Sequence, residues 1–223
     1  MRIAEIFHSI QGEGSLIGVP SVFVRTSGCN LRCSWCDTPY TSWKPEGETL
    51  SVEQVLARAG GFHCNYVVVT GGEPMIAAEI AALTEGLRAL GLHITIETAG
   101  TVYTPVACDL MSISPKLQNS TPDGEWRARH DALRIQPDVL RRLLGEYVHQ
   151  VKFVLASPGD LLEVRAVVEA IGAKAANVIL MPEGTDPVVL RERSSWITEI
   201  CKREGFRYSP RLHVDLYGNR RGT

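Results

Sequence analysis

No stretch of this 223-residue chain approaches the roughly 20 consecutive apolar residues that a membrane span needs. The opening Met1-Arg2-Ile3-Ala4-Glu5 lacks the charged, apolar and small-residue parts of a signal peptide. Neither sign of charge dominates: 23 Lys and Arg stand against 25 Asp and Glu, for a net charge of −2. That leaves no broad basic field for gripping nucleic acid or an anionic membrane, and the pair Arg220-Arg221 is too small a footprint for either. There is no internal repeat and no low-complexity tract. The expectation is one cytoplasmic globular domain, with enough of its 44% hydrophobic residues to bury a sizeable core.

Cysteines are few, six in all. Cys64, Cys108 and Cys201 are scattered and read as small buried hydrophobes. Cys29, Cys33 and Cys36 fall within one short stretch, Gly28-Cys29-Asn30-Leu31-Arg32-Cys33-Ser34-Trp35-Cys36-Asp37-Thr38. In a compartment that keeps thiols reduced, such a cluster points to metal or catalysis rather than to disulfides.

The rest of the chain alternates between strand and helix patterns. Strands are expected at 21–25, 66–69, 93–97, 110–114, 148–155, 178–181 and, as a closing strand, 211–214. Helices are expected from Ser51, where Ser51 and Gln54 resemble a capping box, and at 76–90, 138–144, 161–171 and 187–204. Such alternation argues for a parallel sheet wrapped by helices, α/β in class. Six or seven strands are too few for an eight-stranded barrel, so the expected form is an open, partial β/α barrel of about six parallel strands. Its mouth would gather the cysteine loop, Gly71–Pro74, Glu97–Thr101 and Ser114–Lys116, all of which follow strands. The polar segment Gln118–Leu133 reads as a surface excursion.

Thiolates are the usual ligands of iron–sulfur clusters, and three cysteines leave one iron of a [4Fe–4S] cubane open for catalysis. A structural zinc site is the competing reading. It wants a fourth ligand, usually in a second Cys or His pair, and the sequence offers only His63-Cys64, far from the triad. A non-catalytic metal-binding module is the corresponding alternative function.

Cys-x-x-x-Cys-x-x-Cys, followed after a buried strand by Gly71-Gly72-Glu73-Pro74, resembles the radical S-adenosylmethionine superfamily. The segment Glu5 to Gly14, Arg25, the residues from Cys29 to Thr38, Thr70–Pro74, Glu97–Thr101, Ser112–Lys116 and the tail around His213 together resemble the 7-carboxy-7-deazaguanine synthase family. The resemblance implies a magnesium-dependent ring contraction of 6-carboxy-5,6,7,8-tetrahydropterin with release of ammonia. A radical generated from S-adenosylmethionine drives it, and S-adenosylmethionine is regenerated. It also implies site residues. Cys29, Cys33 and Cys36 hold the cluster and Thr38 the Mg²⁺. Trp35, Cys36, Asp37, Gly72, Glu73, Ser114, Pro115 and Lys116 bind S-adenosylmethionine, with Glu73 on the methionine amino group. Ile10, Gln11, Gly12, Glu13, Gly14, Arg25, Thr70, His213 and Thr223 bind the pterin, with Arg25 on its carboxylate.

Each assignment has a plainer reading beside it: a surface turn for Gly12–Gly14, an exposed salt bridge for Arg25, a solvated side chain for Lys116 and core packing for Trp35. Lys152 is a further candidate for the site. Ala99 stands where the family often has Asn. The expected arrangement is one domain over 1–223, with a substrate-binding extension at about 1–20 and a closing tail at about 206–223. The resemblance further implies a homodimer and an electron donor such as flavodoxin. A glycyl-radical activating enzyme, acting on a protein, is the nearest rival.

Overall fold

The computed structural model describes residues 1–223. In chain order its elements are β1 (Arg2–Ile10), β2 (Pro20–Thr26), α1 (Pro39–Ser42), β3 (Glu48–Thr49), α2 (Val52–Gly60), β4 (Tyr66–Gly71), α3 (Ile80–Ala89), β5 (His93–Thr98), β6 (Leu110–Ile113), α4 (Arg127–Leu133), α5 (Pro137–Glu146), β7 (His149–Leu155), α6 (Leu161–Ile171), β8 (Val178–Pro182), α7 (Pro187–Glu204), β9 (Arg207–Tyr208) and α8 (Leu212–Tyr217).

All nine strands form one sheet in the order β3-β1-β2-β4-β5-β6-β7-β8-β9. From β2 to β9 every neighbouring pair is parallel; β1 and β3 join antiparallel at one edge. The two-residue strands β3 and β9 end the sheet without pairing to each other, so the barrel stays open.

Side chains alternate between the faces of a strand, and here that alternation divides the molecule. Val22 and Val24, Val67 and Val69, Ile94 and Ile96, Met111 and Ile113, Val151, Phe153 and Leu155, and Val178 and Leu180 belong to the 33-residue core. They meet buried side chains of the helices, among them Leu83 and Leu87 of α3, Leu140 and Leu143 of α5, Val164 of α6 and Ile197 of α7. The opposite parity, Phe23 and Arg25, Thr70, Glu97, Ser112, Lys152 and Val154, and Met181, lines a cavity on the other face. The helix-facing parity is therefore apolar throughout, whereas the cavity-facing parity mixes apolar residues with the polar ones of the site.

The capping box at α2 forms as expected: Gln54 N donates to Ser51 Oγ at 3.3 Å and Ser51 N to Gln54 Oε1 at 2.9 Å. Helices α6 and α7 have the expected bounds. Four elements differ from expectation. Strand β1 carries no clean alternation because a bulge between Ile3 and Glu5 shifts its register, which puts Ile3 in the core, Glu5 against Arg25 and Phe7 in the cavity wall. The helix expected from residue 76 starts at Ile80, after a 3-10 turn at Pro74–Ile76. Residues 211–214 are not a strand: Leu212 opens helix α8, and the closing strand is Arg207–Tyr208. Four residues cannot distinguish a period of 2 from one of 3.6. Gln118–Leu133 contains α4 and buries Ser120 and His130, so it is more than a surface excursion.

Candidate active site

The cavity has a volume of about 530 Å³ and opens at the carboxyl ends of the parallel strands. Cys29, Cys33 and Cys36 line it together with Trp35, Asp37 and Thr38. No three His, Cys, Asp or Glu side chains of the chain converge on a single point as a one-ion cage does. The donor set is three thiols around a shared space, the chemistry an iron–sulfur cluster takes. Burial pushes the thiol of Cys29 up to about 11 and that of Cys33 up to about 12. Both are protonated in the free protein, and loading iron would displace those protons.

The loop that carries these thiols is held from three sides. The Ser34 amide donates to the Ser120 carbonyl at 2.9 Å, and Trp35 Nε1 to the Asn119 carbonyl at 2.9 Å. Trp43 Nε1 donates to the Cys33 carbonyl at 3.0 Å. The Arg32 amide donates to Nδ1 of buried His130 at 3.1 Å. That bond fixes Nδ1 as the acceptor, so Nε2 carries the proton toward Ser120 Oγ, 2.9 Å away. Gly72 passes so close beneath the loop that a Cβ there would lie 2.2 Å from the Gly28 carbonyl oxygen and 2.7 Å from that of Thr41. The glycine at 72 is thus required by backbone packing under the cysteine loop as well as by any ligand above it.

Glu73 lies behind the wall rather than in it. Its carboxylate is buried and accepts from Thr98 Oγ1 (2.8 Å), the Ala99 amide (2.8 Å) and the Met75 amide (3.1 Å). Burial raises its pKa, against the pull of those three donors. Pro115 and Gly14 are likewise outside the lining; the Gly14 amide is tied to Ser209 Oγ at 2.8 Å. The other expected residues do line the cavity: Ile10, Gln11, Gly12, Glu13, Arg25, Cys29, Cys33, Trp35, Cys36, Asp37, Thr38, Thr70, Gly72, Ser114, Lys116, His213 and Thr223. Lys116 Nζ donates to Ser114 Oγ at 2.8 Å and stands 5.8 Å from the centre of the Trp35 ring.

Opposite the cysteines lies a network of buried charge. Lys152 Nζ is 2.9 Å from Glu13 Oε2 and 3.3 Å from Glu97 Oε1. Glu97 also accepts from Thr70 Oγ1 (2.9 Å) and Gln11 Nε2 (3.3 Å). Arg211 pairs with Glu13 at 3.3 Å and with Asp37, and donates to the Gly184 carbonyl. Burial alone would raise the Glu13 carboxyl, but Lys152 and Arg211 outweigh it and hold it well below the usual carboxylate range. The same contest, with Arg211 as the main counterweight, lowers Asp37. Burial and the nearby Arg211 keep His213 below the ordinary histidine value, against the pull of Glu13. Glu97 and Arg211 also line the cavity; the sequence named Glu97 only as the start of the Glu97–Thr101 segment and gave Arg211 no place in the site. Glu97 was legible as a charge at the end of a strand; Arg211 carried no local signal.

The tail closes one side. The Leu212 amide donates to the Gly12 carbonyl at 3.0 Å, and a Cβ on Gly12 would lie 2.0 Å from His213 Nδ1. Residues Asn219 to Thr223 complete the wall.

Known proteins are similar to this chain. The radical SAM superfamily model matches residues 23–117. A 7-carboxy-7-deazaguanine synthase of Halobacterium salinarum is 44% identical, over 98% of this chain and 91% of its own length. One of Rhodopirellula baltica is 45% identical, over 100% and 89%. The crystal structure of QueE from Escherichia coli has the same fold, with a TM-score of 0.70 at 24% identity, covering 95% of this chain and 94% of that one. A cavity that joins three thiols to a charged pocket, in a chain matched along its length by these synthases, supports one conclusion: the chain belongs to the 7-carboxy-7-deazaguanine synthase family of radical S-adenosylmethionine enzymes.

Proposed function

We propose that the cavity converts 6-carboxy-5,6,7,8-tetrahydropterin to 7-carboxy-7-deazaguanine with loss of one ammonia. The observation that carries this reading is the shared cavity itself: three thiols at one end, and Gln11, Glu13, Arg25, Glu97 and Lys152 at the other. When bound, the cluster and S-adenosylmethionine supply one-electron cleavage and a carbon radical that abstracts hydrogen.

The residues of the chain bind, orient and shield. In this reading Cys29, Cys33 and Cys36 hold three irons. Gly72, Ser114, Lys116, Trp35 and Asp37 surround S-adenosylmethionine, and Glu73 supports that wall from behind by fixing the Ala99 amide. Carboxylates suit the amino-pyrimidine edge of a pterin, which presents N–H donors, so Glu13 and Glu97 face it. Lys152 holds both carboxylates in place. Arg25 takes the substrate carboxylate with two parallel hydrogen bonds, which Lys cannot imitate. Thr38 would supply one oxygen to Mg²⁺, a hard cation that keeps much of its hydration and would help hold the substrate in place. Ile10, Gly12, Thr70, His213 and Thr223 complete the pocket and exclude water.

Chain 1–223 works as one unit: residues 1–20 supply the pterin segment and residues 206–223 close it. No helix is long and apolar enough to cross a membrane. A cytoplasmic location, a homodimer and a flavodoxin-like electron donor complete the proposal. Light scattering of the purified protein tests the dimer.

The test is an anaerobic assay of reconstituted, reduced protein with the carboxytetrahydropterin, comparing the unmodified chain with Arg25→Ala and Thr38→Ala. The expected result is deazaguanine product, with a raised KM for the first variant and a lost magnesium response for the second. Unmodified behaviour in both would remove the substrate-site assignment. A protein glycyl radical with no deazaguanine would favour an activating enzyme.

A further inference from the structure

Arg25 does not face the cavity alone. Glu5 stands directly opposite it across the β1–β2 pair, on the face that also stacks Phe7 on Phe23 at 5.0 Å. The Arg25 Nε donates to Glu5 Oε1 at 2.7 Å, and its guanidinium carbon sits 5.6 Å from the centre of the Phe7 ring. Tyr40 Oη donates to the same carboxylate oxygen at 2.7 Å. The other oxygen of Glu5 faces Arg221 Nε of the tail at 3.6 Å. The Glu5 and Arg25 side chains are only 12% and 17% exposed, so water competes little for these bonds. The terminal nitrogens of Arg25 make no hydrogen bond to the protein.

We infer that Glu5 is a positioning residue for substrate recognition: by occupying the Nε of Arg25 it fixes the plane of the guanidinium and leaves both terminal nitrogens aimed into the cavity for the pterin carboxylate. The inference rests on the reading of Arg25 as the carboxylate grip. Its physical basis is geometric. A bidentate pair needs two parallel N–H vectors in one plane, and an arginine free to rotate about its side-chain bonds presents that plane only part of the time. The carboxylate at Nε, the phenylalanine ring under the guanidinium and the phenol that anchors the carboxylate together remove that freedom. An opposing effect exists: a fixed anion beside Arg25 repels a second anion. The two effects differ in sign, so one substitution separates them.

The experiment uses iron-loaded protein with S-adenosylmethionine, kept anaerobic, and measures binding of two stable probes by calorimetry, 6-carboxypterin and pterin without the carboxyl. Glu5→Gln keeps the shape and removes the charge. The expected result is about tenfold weaker binding of 6-carboxypterin, the size of a lost charge-assisted hydrogen bond, with pterin binding held within about twofold. Arg25→Ala should abolish the preference for 6-carboxypterin, and Glu5→Gln should add nothing in that background, as a double-mutant cycle requires of residues acting through one another.

Tighter 6-carboxypterin binding by Glu5→Gln would show that Glu5 competes for Arg25, and would overturn the inference. Unchanged binding, or equal weakening of both probes, would overturn it too, the latter marking a merely structural role. If Glu5→Gln does not fold, Tyr40→Phe removes one of the bonds that hold the carboxylate. It should give the same carboxyl-specific loss on a smaller scale, and its absence counts against the inference. If Arg25→Ala keeps the full preference, the Arg25 reading fails and this inference with it. Loss in Arg25→Ala without loss in Glu5→Gln leaves that reading standing and removes only the role of Glu5.

Discussion

The ammonium of Lys152, on β7, lies 2.9 Å from the carboxylate of Glu13, 139 positions earlier in the chain, and both side chains are largely shut off from water. A buried charge that keeps its partner is tolerable, whereas one that loses it is costly. Lys152→Met is therefore expected to destabilise the fold by about 3–5 kcal/mol, because it leaves Glu97 without a cation beside Glu13, which keeps only Arg211. Adding Glu13→Gln to that variant should restore part of the loss. Urea unfolding of the single and double variants checks both, and a single variant as stable as the parent would contradict the pairing.

The same pair sets a pH dependence. Burial would raise the Glu13 carboxyl, but Lys152, Arg211 and His213 pull it below its unfolded value, which is about 4.3 for a free glutamate. Its contribution to stability is thus complete above that unfolded value and is lost as pH falls toward the folded one. Asp37, lowered mainly by Arg211 against the cost of its burial, adds a contribution of the same sign. The expected outcome is a urea midpoint that eases below about pH 6.5, where His213, held below its unfolded value, must take up a proton, and that falls more steeply below about pH 4 as these carboxylates protonate. Glu13→Gln should flatten that acid limb, and an acid limb as steep as the parent's would contradict the assignment.

At the other end of the site, His130 links α4 to the cysteine loop through the Arg32 amide. His130→Ala leaves that amide without its acceptor, at a cost of about 1–3 kcal/mol. The expected result is a folded protein that loses iron faster to a chelator than the parent does. Equal iron release would show that the loop does not depend on this bond.

The tail offers a steric test. Gly12→Ala places a methyl 2.0 Å from the present position of His213 Nδ1, so the His213 side chain must turn away or α8 must shift with it. Faster proteolysis within residues 212–223 and weaker pterin binding are expected, with iron content unchanged. A tail as resistant as the parent's would mean that α8 does not depend on Gly12.

Much of this was legible in the sequence, and for physical reasons. The parallel strands are apolar throughout on the face that the helices cover. The cysteine loop and the glycines at 71 and 72 sit where strands end. What was not legible was long-range. Strand β1 is masked by its bulge at Ile3–Glu5. The segment Gln118–Leu133 looked polar because the partner that takes up Nδ1 of buried His130 is the amide of Arg32, far away in the chain. Arg211 acquires its role only when the turn between β9 and α8 brings it against Glu13 and Asp37. Glu73 illustrates the reverse case: its motif was plain, yet it faces the Thr98 and Ala99 backbone region rather than the cavity.

The central claim is that Cys29, Cys33 and Cys36 hold a cluster with one iron left open to S-adenosylmethionine. Its most direct measurement is the EPR spectrum of anaerobically reconstituted, reduced protein before and after S-adenosylmethionine is added, with iron and zinc quantified in the same sample. The account predicts about four irons per chain and a reduced-cluster signal that shifts on addition. Zinc in place of iron, or a cubane signal that saturating S-adenosylmethionine leaves unchanged, would contradict it.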